Sequence, residues 1–472
     1  MPLQPPLPKP PAGLFPRAVE RARITDFLSR ALEASLERVA SGSTVPTLDR
    51  ERFRAELARF DFVAPRPLEA VLEWAVAQLE HGITHMTHPC HFGLFNPNPT
   101  LPAQCADRIA GAFNPQLAST ASSPVPVELE AHVIRAVATR AGLPAGTGHF
   151  ATGGAEANYT ALILALTRAD PGFAERGTRA FAGPVVLYAS RESHGAWHKI
   201  AHQAGIGRAA LNLVATDGAG RMDPAALAAA VALDRAQGRV PVMVAATAGT
   251  TAAGMIDPLG AIAALAAREG LWLHVDAAWG GAALVSERLR PHLAGVEAAD
   301  SLTIDAHKWF ATTMGCAMFI TPHAPLLSQA FHSATSYMPS SDADLDPYLT
   351  TVQWSRRFLG LRLFLSLATV GWTGYAQHVE RAVAVIDRVR AGLEQRGWTT
   401  VNDSPLALLA LLPPPALGEV RTLVRRVVRA GRAWVAAASF EGRDVVRICA
   451  TNGETRERDV ETLVDELNAP AG

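Results

Sequence analysis

The sequence predicts an α/β fold: a mostly parallel central sheet, preceded by a helical N-terminal segment and followed by a small α+β domain. Three observations carry that prediction. Between about residues 125 and 310, short apolar runs alternate with Ala/Leu-rich segments of helical period, as strands joined by crossover helices do. Upstream, apolar residues recur at helical spacing with no strand-like runs between them. Downstream of residue 395, two β-like runs and a last helical one stand apart from the alternating region.

Residues 1–16 (MPLQPPLPKPPAGLFP) are Pro-rich and read as an extended arm. Residues 17–42 and 49–81 read as amphipathic helices, with Phe53, Leu57 and Phe60 followed by Leu68, Val71, Leu72, Trp74 and Leu79. Strands are expected at 148–151, 184–189, 211–214, 241–247, 271–276 and 301–305, and helices at 156–169, 194–205, 223–233 and 258–269. Residues 326–350, rich in Ser, Asp and Pro, read as a long loop, and a loop of that length is usually a lid or a linker. Helix returns at 354–395, β-like stretches at 406–412 and 434–450, and helix again at 457–468. This divides the chain into a helical segment (1–85), a large α/β domain (86–365) and a small α+β domain (366–472).

Composition narrows the function. The 472 residues are 49% hydrophobic and 18% charged with a formal net charge of −1, which argues for folded domains and against a nucleic-acid or anionic-membrane partner. No apolar run is long enough to span a bilayer, and the start does not read as a signal peptide. The four cysteines lack CxxC pairing, so a cytoplasmic setting is expected. Of the 43 basic residues only Lys9, Lys199 and Lys308 are lysine. A lysine kept in an arginine background is a candidate for amine chemistry, because an ammonium group can lose its proton and act as a nucleophile. Lys9 lies in the Pro-rich arm, and Lys199 reads as helix-surface decoration.

Three loops follow predicted strands, at the sheet edge where open α/β folds bind ligands. Thr152-Gly153-Gly154-Ala155-Glu156-Ala157-Asn158 lies between a strand and a long helix, and the helix's free N–H groups suit an anion. It is neither the dinucleotide GxGxxG nor a P-loop. Asp276 ends an apolar strand, where a carboxylate needs a cationic partner. Lys308, in Asp305-Ala306-His307-Lys308-Trp309-Phe310, sits among aromatic residues that favour a Schiff base. An anion cradle, a strand-end carboxylate and a semi-buried amine together match what pyridoxal 5'-phosphate requires, with His194 the candidate to stack on its ring. A zinc reading of His81, His85, His88, Cys90 and His91 is disfavoured, because Pro89 ends any helix there and no distal ligand stands out.

SRESH up to His194, the GTT of Gly249–Thr251, DAAWGG from Asp276 and DAHKW around Lys308 resemble the group II pyridoxal-dependent amino-acid decarboxylases, from about His88 to the C-terminus. That family includes aromatic-L-amino-acid, glutamate and diaminobutyrate decarboxylases. The resemblance implies fold type I, a homodimer with shared active sites, and conversion of an L-amino acid to its amine and CO2. It implies that Lys308 forms the internal aldimine, Asp276 pairs with the pyridine nitrogen and His194 stacks on the ring. Thr251 and Ala278 would line the ring, while Gly153, Gly154, Ala155, Asp305 and His307 would hold the phosphate or lie beside it. Tyr337 occupies the place of the family's loop tyrosine, which protonates Cα after CO2 leaves, and Tyr348 is the second choice. Ala155 stands where many relatives carry Ser or Thr, so backbone N–H groups must do more. Phe95-Asn96-Pro97 departs from the run of the aromatic enzymes. Substrate-contact candidates are Phe92, Phe95, Asn96, Trp279 and the surroundings of Trp354, Arg356 and Arg357. The alternative on the same scaffold is transamination or an aldehyde-forming course.

Overall fold

The computed structural model describes residues 13–333 and 346–470. Seven strands form the large sheet: β1 (Thr147–Ala151), β2 (Val185–Ser190), β3 (Leu211–Val214), β4 (Val240–Thr247), β5 (Trp272–Asp276), β6 (Ser301–Asp305) and β7 (Ala317–Thr321). Their order is β1-β7-β6-β5-β4-β2-β3, with β7 antiparallel to both neighbours and the rest paired in parallel. Both faces are covered, which is why β2 (VVLYAS) reads as an unbroken apolar run instead of an alternating one. Val185, Leu187 and Ala189 face one core, with the helices Gly154–Ala169 and Ala196–Gln203. Val186 and Tyr188 face the other, under the helices Pro224–Ala236 and Leu259–Glu269. The hydroxyl of buried Tyr188 donates to Asp234 at 2.9 Å, so its polar end is satisfied inside that core.

The strands lie within a residue or two of the expected positions, but β7 was not anticipated. It is a five-residue apolar run coming straight after the Lys308 loop, too short and too close for a crossover, so it returns antiparallel. The expected loop 326–350 is helical at its start, Ala324–Phe331, because Leu326, Leu327 and Phe331 pack into the core beside the helix Gly154–Ala169. The helical reading of 49–81 splits into Arg50–Leu57 and Leu68–Gly82, with Pro65 and Pro67 between them. The later helix starts only at Gly360 and runs to Glu394, interrupted at Gly371, whose φ of +64° lies in the left-handed region.

A second, four-stranded sheet has the order β10-β11-β9-β8, from β8 (Thr399–Thr400), β9 (Leu408–Leu412), β10 (Ala436–Phe440) and β11 (Arg443–Cys449). The stretch expected at 434–450 is thus a hairpin turning at Glu441-Gly442, both at positive φ. The helices Val420–Ala430 and Glu457–Asn468 flank it, the latter with its expected bounds. At the other end of the chain, the helix Ala18–Ser41 packs on Leu68–Gly82 and is tied to it by Arg38 and Ser35, both bonded to Glu80. Among the described residues, no helix is long and apolar enough to cross a membrane.

Candidate active site

The C-terminal ends of five parallel-sheet strands converge on one cavity. β1 runs into a turn in which Thr152 donates to Glu156 through its N–H (2.9 Å) and its hydroxyl (2.5 Å), pinning the start of the helix Gly154–Ala169. A Cβ on Gly154 would come within 3.0–3.3 Å of the Asp305 carboxylate and of Ala278. The glycine therefore brings helix-terminal N–H groups close to the cavity where a side chain would crowd it. Beyond β2, Ser193 hydrogen-bonds Thr247 of β4 at 2.9 Å, which sets the turn that presents His194. The imidazole Nδ1 of His194 accepts from the N–H of Ala196 at 3.1 Å.

Asp276 closes β5 almost fully buried. Its Oδ2 accepts from Asn158 Nδ2 at 2.8 Å and its Oδ1 from the Ala278 N–H at 3.2 Å. Past β6, Lys308 Nζ lies 3.0 Å from Asp305 Oδ2, while Asp305 Oδ1 is buried without a hydrogen-bond partner among the described residues. The nearest aromatic face to the amine is Phe95, 5.4 Å away, and Trp309 is instead fully buried in a stack of Phe95, Trp279 and Trp309 with centroids 4.3 and 4.6 Å apart.

Gly154, Ala155, His194, Thr251, Asp276, Ala278, Asp305 and Lys308 all border this cavity. Gly153 and His307 do not. His307 lies behind Asp305, with Nδ1 2.9 Å from the Cys316 carbonyl and Nε2 3.7 Å from Asp305 Oδ2. Tyr337 lies outside the described residues. Tyr348 is buried away from the cavity, its N–H donating to Ala118 and its ring against Trp354 at 4.9 Å. Of the substrate-contact candidates, Phe95 and Trp279 border the cavity. Phe92 is core, Asn96 donates to Met314 Sδ, and Arg356 is buried in an ion pair with Glu130 at 2.9 Å. The buried pair takes Arg356 out of substrate recognition. In the histidine-rich segment, His85 bonds the Glu80 carbonyl, His88 takes the Cys90 N–H and His91 stacks on Trp434.

Two further residues emerge from the geometry. Asn158, in the first helix after β1, is the partner of Asp276. Arg447 of β11 borders an adjoining cavity that shares Phe95, His194 and Thr251 with the first. Its Nε donates to the Thr251 carbonyl at 2.5 Å, its Nη1 to the Gly93 carbonyl, and its guanidinium lies 4.3 Å over Phe95. Nη2 is buried with no partner among the described residues. A guanidinium interrupting the apolar run VVRIC was the available signal, since a buried cation must meet an anion or a set of carbonyls.

This donor set fits pyridoxal phosphate on structural grounds. There is an amine in the cavity, a buried carboxylate across from it, an imidazole at its edge, and a glycine-lined helix terminus that a Cβ would obstruct. Comparison with known proteins agrees. Residues 61–404 match the family model described as the pyridoxal-dependent decarboxylase conserved domain. Mouse cysteine sulfinic acid decarboxylase is 32% identical over 367 residues, 73% of this chain and 74% of that protein. Aromatic-L-amino-acid decarboxylase of Bacillus atrophaeus is 27% identical over 404 residues, 82% of each. Among solved structures, mouse CSAD in apo form superposes with a TM-score of 0.89 at 26% identity, covering 96% of this chain and 98% of that one. Oryza sativa TDC with PLP and tryptamine gives the same TM-score and coverage at 25% identity. By sequence, fold and site, the chain belongs to the pyridoxal-dependent decarboxylases.

Proposed function

We propose that the cavity around Lys308 performs the family's reaction, loss of the carboxylate of an L-amino acid as CO2 to leave the amine, with each residue in the role that its position supports. The observation that carries this reading is the convergence of Lys308, Asp276, His194 and the Gly154-Ala155 turn on one cavity. When bound, pyridoxal phosphate supplies the electron sink for the bond broken at Cα. Lys308 Nζ is the amine that tethers it. The N–H groups of the turn bind the phosphate without a Ser or Thr hydroxyl, Ala155 standing in that place. Asp276 would hold a proton at the ring nitrogen, and His194 would lie against the ring. Arg447, which borders the adjoining cavity and whose buried Nη2 has no partner among the described residues, meets the substrate carboxylate. Tyr337 returns a proton to Cα.

The relatives are decarboxylases, which favours CO2 loss over transamination or the aldehyde-forming course. Two chains share each site in this proposal. An exposed apolar strip on the helix Leu101–Phe113 (Leu101, Ile109, Phe113), together with exposed Met314, supports a homodimer. Four free cysteines, three of them buried, support a cytoplasmic setting. The test is product analysis by mass spectrometry on enzyme supplied with pyridoxal phosphate and a panel of L-amino acids, including 2,4-diaminobutyrate and cysteine sulfinate. Amine from wild type but none from Lys308→Ala is the expected result. Keto acid or aldehyde without amine overturns the reaction, and turnover by Lys308→Ala overturns the role of the lysine.

A further inference from the structure

Behind Asp276 runs a line of side chains that meets the cavity at Asn158. Trp272, Asn158, His274 and Ser301 are all buried, yet each places a polar atom on the next. Trp272 Nε1 lies 2.8 Å from Ser301 Oγ, Ser301 Oγ 2.8 Å from His274 Nδ1, His274 Nε2 3.0 Å from Asn158 Oδ1, and Asn158 Nδ2 2.8 Å from Asp276 Oδ2. We infer that Asn158 and His274 are positioning residues for Asp276, the last links of a one-way hydrogen-bond chain that starts at Trp272 and holds the carboxylate in one orientation. The inference rests on the reading of Asp276 as partner of the cofactor's ring nitrogen.

The direction of the chain follows from what each group can do. An ionised carboxylate only accepts, so the Asn158 amide turns its NH2 to Asp276 and its carbonyl to His274. A carbonyl also only accepts, so His274 Nε2 carries a hydrogen. Complete burial pushes the His274 pKa down to about 4 despite the pull of Asp276, which keeps the ring neutral near pH ~7 and leaves Nδ1 a bare acceptor. Ser301 then donates its single hydrogen to Nδ1 and accepts from the Trp272 indole, which can do nothing but donate. Every donor points the same way. Thr303 Oγ1, at 3.5 Å from Nε2, is too distant to compete, and the Trp197 ring meets the imidazole edge-on with centroids 5.7 Å apart, closing that side. Bonds aligned in series within an apolar core polarise one another, so a donor at the far end strengthens the last bond, to Asp276.

The first test reads the protein without cofactor. Long-range proton–nitrogen NMR of the His274 ring should show the neutral tautomer protonated at Nε2. An Nδ1-protonated ring or an imidazolium near pH ~7 overturns the chain as drawn. The second loads wild type and variants with pyridoxal phosphate labelled with nitrogen-15 at the ring. Asn158→Leu and His274→Leu should shift the ring nitrogen toward its unprotonated resonance and lower kcat on the order of tenfold with KM little changed, the loss of one hydrogen bond to a charged group. His274→Gln, which keeps a donor near the Nε2 position, should restore both signals. Asp276→Asn separates the two readings. If it leaves the label unmoved, Asp276 is not the ring's partner. If it moves the label while both leucine variants leave it in place, the chain alone is refuted. Should the leucine variants fail to fold, the tautomer measurement on the wild-type protein still decides.

Discussion

Arg447 offers the most direct test of how substrate is held. Its guanidinium spends Nε and Nη1 on the carbonyls of Thr251 and Gly93, and Nη2 has nothing to donate to among the described residues. A charge-assisted hydrogen bond from Nη2 to a substrate carboxylate contributes about 1.5–3 kcal/mol, or roughly 10- to 150-fold in affinity. Arg447→Lys keeps the charge but replaces a planar fork by one compact ammonium, which cannot serve both carbonyls and a carboxylate. Its KM should rise by that factor, while affinity for pyridoxal phosphate changes little. Arg447→Met removes the charge as well and leaves the buried Gly93 carbonyl without its donor, so it should also unfold at lower denaturant, by about 1–3 kcal/mol. The assay is amine formation against substrate concentration, with the amine product as competitive inhibitor. The amine lacks the α-carboxylate assigned to Nη2, so its inhibition constant should be the same in wild type and Arg447→Lys. An unchanged KM in a folded Arg447→Lys enzyme, or an equal loss of amine and amino-acid affinity, refutes the assignment.

At the phosphate turn, Gly154→Ala should weaken pyridoxal phosphate binding about tenfold or more, because its Cβ meets Asp305 and Ala278, whereas Gly153→Ala, whose Cβ meets nothing within 4 Å, should bind normally; cofactor titration by fluorescence distinguishes them, and equal affinities defeat the cradle reading. Tyr337→Phe should divert product from amine toward aldehyde and ammonia, measured by mass spectrometry, and an unchanged product moves the proton donor elsewhere. Acid stability should depend on His149, whose two ring nitrogens lack partners among the described residues and whose pKa burial pushes from 6.5 down to about 3, the positive charge of Arg356 adding to the effect. The unfolded chain binds this proton below pH ~6.5 and the folded one does not, so stability is lost as pH falls, by about 1.4 kcal/mol per unit until about pH 3. Asp257 works in the opposite sense: burial raises it to about 6, so its native form keeps a proton that the unfolded chain releases, and it gains stability as pH falls through that value. Denaturant melts of His149→Phe and wild type between pH ~6 and ~4 cancel the Asp257 contribution, and the variant's slope should be shallower by about one proton; parallel curves refute the claim.

Much of the site was legible because it rests on residues adjacent in sequence to strand ends. Asp276, Asp305 and Lys308 follow apolar runs that could only be buried strands, and parallel topology brings such ends to one edge. The turn at Gly154 was legible for the same reason. What escaped depends on contacts between distant segments. Asn158 ends the first of the three strand-end motifs with no role legible for it, and only the packing of its helix across β5 shows that its amide reaches Asp276, 118 positions away. Arg447 approaches the site from the second sheet, bonding a carbonyl 354 positions upstream. Arg356 resolves the other way: a charge near the expected loop suits either substrate or a salt bridge, and it pairs with Glu130 inside the core.

The arginine-rich composition gains a physical meaning from this comparison. Arginine serves wherever the chain needs a fixed cation, and at Arg356, Arg362 and Arg447 it is buried with several of its donors committed to protein oxygens. Such a group is a poor nucleophile because it does not give up its proton. Lys308 is held differently, by one carboxylate at 3.0 Å and with its side chain still about a fifth exposed in the cavity. Its amine is therefore confined near the reacting position but not locked there, free to exchange the Asp305 contact for a carbonyl carbon. The other described lysine, Lys199, lies on the surface of a short helix and has no carboxylate within ion-pair distance among the described residues. The contrast between an arginine fixed by many bonds and a lysine held by one supports the proposal that Lys308 is the reactive amine.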